Sequence, residues 1–286
     1  MDDKHIVGFD TSAINGLLDD PDSTVVLPKI ISRFHVRLSA ASAGELIATS
    51  DALRRSKLLA LCQDLMQSGD CIHDAYQLLQ ILIRDYEASP TFDWQSVDIR
   101  FQDAENRLRS GAAFNDGESQ SVRDENREAE SKFEAFYKRF NSLYKDAFAQ
   151  PGATRPASLS ESVEWLKKSG TFDKMASVLY AHVSERDRRD DPSPTALVKN
   201  FLHSCPPFLA LLLGACAARY TRNLKPSQQP SMKAGALDTS MAVCLPYCHI
   251  FVTSDGGMQN CFREIGQLAS LVVEVTSYNR FRQRLT

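Results

Sequence analysis

The chain of 286 residues contains 43% hydrophobic and 24% charged residues, so it is long and apolar enough to bury the core of a globular protein. This composition argues against a disordered, fibrous or membrane-embedded chain. The formal net charge of -3 argues against tight nucleic-acid binding by overall charge alone, but it permits a local basic patch.

The N-terminus, the cysteines and the most apolar segment predict the cellular location of the protein. The N-terminus MDDKHIVGFD carries acids where a secretory signal would carry basic residues. The seven cysteines are odd in number and scattered, which is typical of core thiols rather than of a disulfide framework. The most apolar segment, CPPFLALLLGACAA at residues 205–218, is shorter than the roughly 20 residues of a membrane span. We therefore expect a buried helix there, no membrane segment and a cytoplasmic location.

The first part of the chain alternates strand and helix patterns. Residues 5–9 predict a strand, and residues 11–18 predict a short helix that begins at a run of Asp, Thr and Ser. The alternation in RFHVRLS, residues 33–39, predicts a second strand. A helical pattern then continues to about residue 67. This β-α-β-α order is typical of an α/β domain.

A helical block interrupts the α/β pattern. From about Asp70 to Asn223 strand signals nearly vanish, and helical patterns are separated by loop compositions such as GAAFNDGES and QPGATRPAS. After a Pro/Ser/Gln-rich loop at residues 224–235 the α/β pattern resumes. It comprises a helix at LDTSMAVCLPY, a strand at HIFVTS, a helix at GGMQNCFREIG and a strand at LVVEVTS.

We therefore predict one α/β domain that is split by a long helical insertion. Residues 1–69 and 224–286 form its two parts, and residues 70–223 form the insertion. Loop-closure entropy permits this arrangement, because each doubling of a loop costs only about 0.6 kcal/mol. Nearly continuous apolar strands joined through helices predict a parallel sheet that is covered on both faces.

Four acids are expected at one edge of this sheet. Ligands of parallel α/β sheets bind outside the carboxyl ends of the strands. Asp10 and Asp255 each close an apolar strand, and Glu45 opens the helix after the second strand. Asp238 begins the helix before the HIFVTS strand, which would bring it to the same edge.

Converging carboxylates raise one another's pKa unless a positive charge lies among them. Mg²⁺ or Mn²⁺ would supply that charge, because hard cations prefer oxygen ligands and promote phosphodiester hydrolysis. A simpler interpretation treats the three aspartates as helix N-caps and Glu45 as a solvated first-turn residue. Ser12 and Thr253 would either bind the acids or a water molecule, or cap backbone groups. The C-terminal stretch YNRFRQR is a candidate phosphate contact.

Three stretches, VGFDTSAINGLL, SAASAGELIA and GALDTSMAVCLPYCHIFVTSDGGM, resemble in this order the acidic motifs of the PIN domain family of metal-dependent ribonucleases. The resemblance covers about residues 4–55 and 233–276. The motif acids of the family match Asp10, Glu45, Asp238 and Asp255, and its small hydroxyl residue matches Ser12.

The resemblance implies an α/β/α sandwich, Mg²⁺ or Mn²⁺ at the four acids, and single-stranded or structured RNA as the usual substrate. The sequence does not decide between RNA and single-stranded DNA. Many relatives are toxins of toxin-antitoxin pairs, which implies an antitoxin-like protein partner or a homo-oligomer. The chain departs from the family in its long gap between Glu45 and Asp238, and no Lys or Arg closely follows Asp255. The competing hypothesis is an inactive PIN-like module whose insertion docks a protein partner.

Overall fold

The computed structural model describes residues 4–89, 91–110, 116–149, 152, 156–184, 195–224 and 239–285. Its centre is a five-stranded sheet in which every neighbouring pair of strands is parallel. The strand order is β3-β2-β1-β4-β5. The strands are β1 His5–Phe9, β2 Phe34–Ser39, β3 Gly69–Ile72, β4 Ile250–Thr253 and β5 Glu274–Ser277.

Helices connect the strands and fill the interval between β3 and β4. Short 3₁₀ helices lie at Met66–Ser68 and Met241–Tyr247. The α-helices that precede β4 are α1 Thr11–Leu18, α2 Ser23–Arg33, α3 Ala40–Ile47, α4 Ala52–Leu65, α5 Ala75–Ala88, α6 Gln102–Arg109, α7 Asp116–Phe148, α8 Leu159–Lys168, α9 Thr171–Val183, α10 Ala196–Ser204 and α11 Pro206–Leu224. Those that follow it are α12 Gly256–Leu268 and α13 Tyr278–Gln283.

The sheet has a hydrophobic core on each face, because successive side chains of a strand point to opposite sides. On one face Val7, Phe9 and Val252 pack with α1 to α4, α6 and α13. On the other face Phe251 and Val275 pack with α5 and with α7 to α12. The protein is therefore an α/β protein with a parallel sheet between two layers of helices, as the apolar strand patterns predict.

The chain from about residue 70 onward differs from the sequence prediction in two respects. Strand β3 occupies Gly69–Ile72, so the sheet continues past the predicted boundary after residue 69. The sequence pattern missed this strand because it is only four residues long and carries the charged residue Asp70 in its middle. The helices of the predicted insertion also share a core with β4 and β5, so they form one layer of the fold.

Three local assignments also differ from the sequence prediction. The helical pattern of residues 40–67 is two helices, because Asp51 accepts a hydrogen bond from the backbone N–H of Arg54 at 2.9 Å and starts α4. The unassigned residues before β2 form α2, which contains Pro28. In the predicted helix LDTSMAVCLPY, Leu237 and Asp238 lie outside the described residues, Thr239 and Ser240 are α-helical, and Met241–Tyr247 form a 3₁₀ helix that contains Pro246.

The apolar segment at residues 205–218 is a buried helix, as predicted. It forms most of α11, where Leu211, Leu212 and Leu213 are almost fully buried. Among the described residues, no single helix has both the length and the apolar character to cross a membrane. The pair formed by α10 and the first part of α11 meets that test only when its two members, bent by 97°, are taken together.

A buried ion pair joins β2 to β3. Arg37 donates to the two carboxylate oxygens of Asp70 at 2.8 and 2.7 Å, and His35 Nε2 lies 3.0 Å from Asp70 Oδ2. Arg37 also donates to the carbonyl of Tyr247 at 2.9 Å, which ties the sheet to the 3₁₀ helix before β4. Burial by itself raises the pKa of Asp70, but the hydrogen bonds from Arg37 and His35 outweigh burial and hold that pKa well below its usual range.

Replacing Asp70 should destabilise the fold, because Arg37 would keep its buried charge without a negatively charged partner. We expect Asp70→Asn to lower the free energy of unfolding by about 3 kcal/mol at neutral pH. The pKa of Asp70 is lowered in the folded state, so the pair stabilises above the ordinary Asp pKa of 3.8. Its contribution is lost as the pH falls toward the lowered pKa. Urea unfolding of both proteins from pH 7 to pH 3 should therefore show a difference in free energy of unfolding that becomes smaller as the pH falls.

The matched control is Asp19→Asn. Asp19 is 58% exposed and pairs with Arg54 at 2.8 Å on the surface, so its loss should cost less than about 1 kcal/mol. Equal losses in the two variants would contradict a stabilising role for the buried pair.

Candidate metal centre

The strand order defines where a ligand would bind. From β1 the chain continues to β2 and β3 on one side of the sheet, whereas β4 and β5 lie on the other side. The carboxyl ends of β1 and β4 therefore form a topological switch point, which is where parallel α/β sheets bind their ligands. Asp10 follows β1 and its backbone N–H donates to the carbonyl of Val252 at 3.2 Å. Asp255 lies two residues beyond β4.

Asp10 is a buried carboxylate with several donors. Its side chain is only 3% exposed and caps α1 by accepting a hydrogen bond from the N–H of Ala13 at 2.7 Å, as predicted. The hydroxyl of Ser12 lies 2.8 and 2.9 Å from its two oxygens, and the hydroxyl of Thr253 donates to Oδ2 at 2.6 Å. A carboxylate has about four lone-pair positions, so these three donors leave about one position for a further ligand.

The charge of Asp10 is unfavourable in this environment. Burial raises the pKa of Asp10, and the neighbouring charge of Asp255 raises it further. The hydrogen bonds from Thr253, Ala13 and Ser12 oppose this rise without cancelling it. A cation beside Asp10 would stabilise its ionised form, because an opposite charge at short range favours ionisation.

Hydroxyl groups connect the ends of β1 and β4. The Thr253 oxygen that donates to Asp10 also accepts a hydrogen bond from the N–H of Asp255 at 3.0 Å. The N–H of Ser254 donates to the hydroxyl of Ser12 at 2.7 Å. Asp255 itself is exposed and caps α12 by accepting from the N–H of Met258 at 2.7 Å. Both hydroxyls that the sequence singled out therefore bind Asp10, and they also cap backbone groups.

Glu45 comes to the same edge through α3. The helix begins at Ala40, because Ser39 caps it by accepting from the N–H of Ser42 at 3.0 Å. The prediction that Glu45 opens its helix is therefore wrong by one turn. Glu45 is partly buried, and the hydroxyl of Thr11 donates to its carboxylate. Sequence reasoning named Thr11 only as a helix-start residue, and its contact with Glu45 was missed.

Asp10 and Asp255 are close enough for their charges to interact, whereas Glu45 contacts the hydroxyl of Thr11. Among the residues that the structure describes, no three His, Cys, Asp or Glu side chains are grouped so that they could hold a metal ion. Asp238 lies outside the described residues, and the next residue, Thr239, is almost fully buried. Mg²⁺ typically binds one or two protein carboxylates and keeps several waters. Asp10 with one open position, beside the exposed Asp255, fits that requirement.

The basic C-terminal stretch is largely occupied by the fold itself. Arg282 forms ion pairs with Asp20, at 2.9 Å, and with Asp22. Arg284 pairs with Glu274. The two aromatic residues of the stretch, Tyr278 and Phe281, are buried in the core. The case for a phosphate contact here is therefore weaker, because Arg282, Arg284 and both aromatic rings already have partners within the chain.

Comparisons of the chain with protein-family models, with curated proteins and with solved structures find no match.

Replacing Asp10 with Asn should stabilise the metal-free protein at pH 8. Asn can still cap α1 and bind the hydroxyl of Thr253, but it lacks the buried charge. Because the pKa of Asp10 is raised in the folded state, the stability of the wild-type protein falls as the pH rises through that pKa. The difference in free energy of unfolding between the variant and the wild type should therefore become smaller as the pH falls. Urea unfolding of both proteins in EDTA at pH 8 and at pH 5 measures this difference.

The matched control is Asp51→Asn, at an exposed helix cap whose backbone contact Asn can also make. This variant should unfold like the wild-type protein at both pH values. A destabilised Asp10→Asn variant at pH 8 would indicate that Asp10 serves only as a structural cap.

Proposed function

We propose that the protein is a metal-dependent endoribonuclease of the PIN type, which hydrolyses RNA phosphodiester bonds with Mg²⁺ or Mn²⁺. The observation that carries the proposal is Asp10, a buried carboxylate with a raised pKa at the switch point of a parallel sheet. A buried acid of this kind at a ligand-binding position is typical of a functional site. The two layers of helices around the sheet agree with the α/β/α sandwich that the resemblance implies.

The four acids have different roles in the proposed reaction. Asp10 and Asp238 are the primary metal ligands, and Glu45 and Asp255 complete the shell or hold a coordinating water. When bound, the ion supplies the charge and the activated water that phosphodiester hydrolysis requires. Ser12 and Thr253 orient Asp10 by donating to its oxygens. Hydrolysis adds water across the P–O bond, and the chemistry of the family implies a 5′-phosphate and a 3′-hydroxyl as the products.

Helix ends provide a place for the phosphate group. The caps of α1 and α12, Asp10 and Asp255, lie at the same edge of the sheet, so both helix N-termini face this edge. A helix N-terminus carries partial positive charge and free backbone N–H groups, which favour a phosphate oxygen. These N-termini would partly replace the lysine or arginine that the sequence lacks after Asp255. The substrate would be RNA or single-stranded DNA in the cytoplasm, and an antitoxin-like protein or a second copy of the chain would be the partner.

A second candidate function is an inactive PIN-like module that docks a protein through its helical layer. This alternative agrees with the described part of the chain, in which no three His, Cys, Asp or Glu side chains are grouped as metal ligands. Metal binding and nucleic-acid cleavage therefore have to be measured separately.

The decisive experiment is cleavage of a mixed pool of end-labelled RNAs and single-stranded DNAs with Mg²⁺, Mn²⁺ or EDTA. We expect metal-dependent cutting by the wild-type protein and a loss of at least about a hundredfold in Asp10→Asn and Asp238→Asn, because replacing even a residue that only orients a metal ligand costs about 10- to 100-fold. Asp51→Asn should cut like the wild type. Cutting that persists equally in all variants would refute the assignment of the acids.

Metal binding has its own measurement. Mn²⁺ at about 100 times its Kd should raise the free energy of unfolding by about 2.7 kcal/mol, because it binds only the folded state. Thermal unfolding with and without Mn²⁺ measures this gain, which Asp10→Asn and Asp238→Asn should abolish. A wild-type protein that shows no response at millimolar Mn²⁺ would favour the docking module.

A further inference from the structure

The long helix α7 connects the two helical layers. It has 33 residues and is therefore about 50 Å long. Near its C-terminal end, Phe140 and Tyr144 are buried in the core on one face of the sheet. Near its N-terminal end it packs on α3, which belongs to the core on the other face. Helix α3, which carries Glu45, is therefore in contact with α7, which lies outside the segments that resemble the PIN motifs.

Ser119 is the centre of this contact. Its side chain is fully buried, and its hydroxyl donates to the carbonyl of Ile47 at 2.8 Å. The same oxygen accepts hydrogen bonds from Arg55 at 3.2 Å and from Arg123 at 3.1 Å. A serine hydroxyl has one donor and two acceptor positions. Ser119 therefore uses its full hydrogen-bonding capacity at the end of α3.

The two arginines complete the cap of α3. Arg123 donates to the carbonyl of Ala48 at 3.1 Å, and Arg55 donates to the carbonyl of Thr49 at 2.8 Å. The last carbonyls of a helix have no partner within the helix, and a buried helix end needs partners from elsewhere. Positive charge is also favourable at a helix C-terminus. The end of α3 is thus held by side chains of α4 and α7.

The cap at the end of α3 affects the position of Glu45, because α3 is short. The helix has eight residues, and Glu45 lies only two residues before Ile47. Ser39 fixes its first turn, and the cap fixes its last turn. A shift of the last turn would move the Glu45 carboxylate away from Thr11, the residue directly after Asp10.

We propose that Ser119 and Arg123 are positioning residues for Glu45, through which α7 sets the geometry of the candidate metal centre. The effect of this positioning on catalysis rests on the proposed function. The structural part, that α7 holds the Glu45-bearing helix in place, is tested without metal.

The first measurement is Mn²⁺ affinity by isothermal titration in Ser119→Ala and Arg123→Gln. We expect the Kd to rise roughly tenfold in each, as for residues that orient a metal ligand. Arg123→Gln should disturb folding less than Ser119→Ala, because Arg123 is only partly buried and the hydrogen bond between Ser119 and Ile47 remains. Matched controls on the same helix are Ser121→Ala, an exposed serine that contacts Glu125, and Arg127→Ala, which is 72% exposed. Both controls should bind Mn²⁺ like the wild type.

A double-mutant cycle with Glu45→Gln tests whether Ser119 acts through Glu45. If it does, Ser119→Ala should change the Kd less than twofold once Glu45 is replaced, because residues that act through one another are not additive. A full tenfold change in the Glu45→Gln background would overturn the proposal.

Hydrogen exchange in EDTA separates this proposal from the proposed function. Ser119→Ala should speed amide exchange at least tenfold in residues 40–49 and leave α9 unchanged, whereas Ser121→Ala should change neither. If the wild type binds no Mn²⁺, the proposed function fails, and faster exchange confined to α3 still supports the positioning role. Unchanged exchange in α3 would overturn that role whatever the metal result.

Discussion

The parallel register of β1 with its two neighbours is the constraint on which the candidate site depends. Val7 pairs with Val36 of β2 and with Ile250 of β4, so the three strands end at the same edge. Asp10 and Asp255 become neighbours across this edge although 245 positions separate them, and the hydroxyl of Thr253 contacts both. An antiparallel β4 would have placed Asp255 at the opposite edge, and the acids would not meet.

The site is built at some cost to stability. A carboxylate that is almost fully buried is expensive unless hydrogen bonds or a cation compensate for the lost hydration. Ser12, Ala13 and Thr253 compensate in part, but the pKa of Asp10 stays raised. Asp70 is the instructive contrast, because a bidentate arginine lowers its pKa in a comparable buried position. The fold pairs Asp70 with a cation of its own, whereas among the described residues no Lys or Arg forms an ion pair with Asp10, which agrees with the proposed external cation.

The helices between β3 and β4 are integrated with this site. They cover one face of the sheet, and α7 caps the helix that carries Glu45. Helix α11 also approaches the chain just after Asp238 very closely. A Cβ atom on Gly214 would lie 2.6 Å from the carbonyl oxygen of Thr239, so only glycine permits this contact. These helices thus contact the chain two residues after Glu45 and one residue after Asp238, which itself lies outside the described residues.

The sequence by itself determined the features that depend on neighbouring residues. Strand β1, helix α1 and the caps at Asp10 and Asp255 follow from an apolar run that ends in an acid and a hydroxyl residue, and they were predicted with their bounds or within a few residues. Only the tertiary structure decided the rest. The short strand around Asp70, the pairing of Arg282 with Asp20, and the cap of α3 by Ser119 join residues 33 to 262 positions apart. Local patterns carry no information about such contacts, because the partner of each group is chosen by the packing of the whole chain.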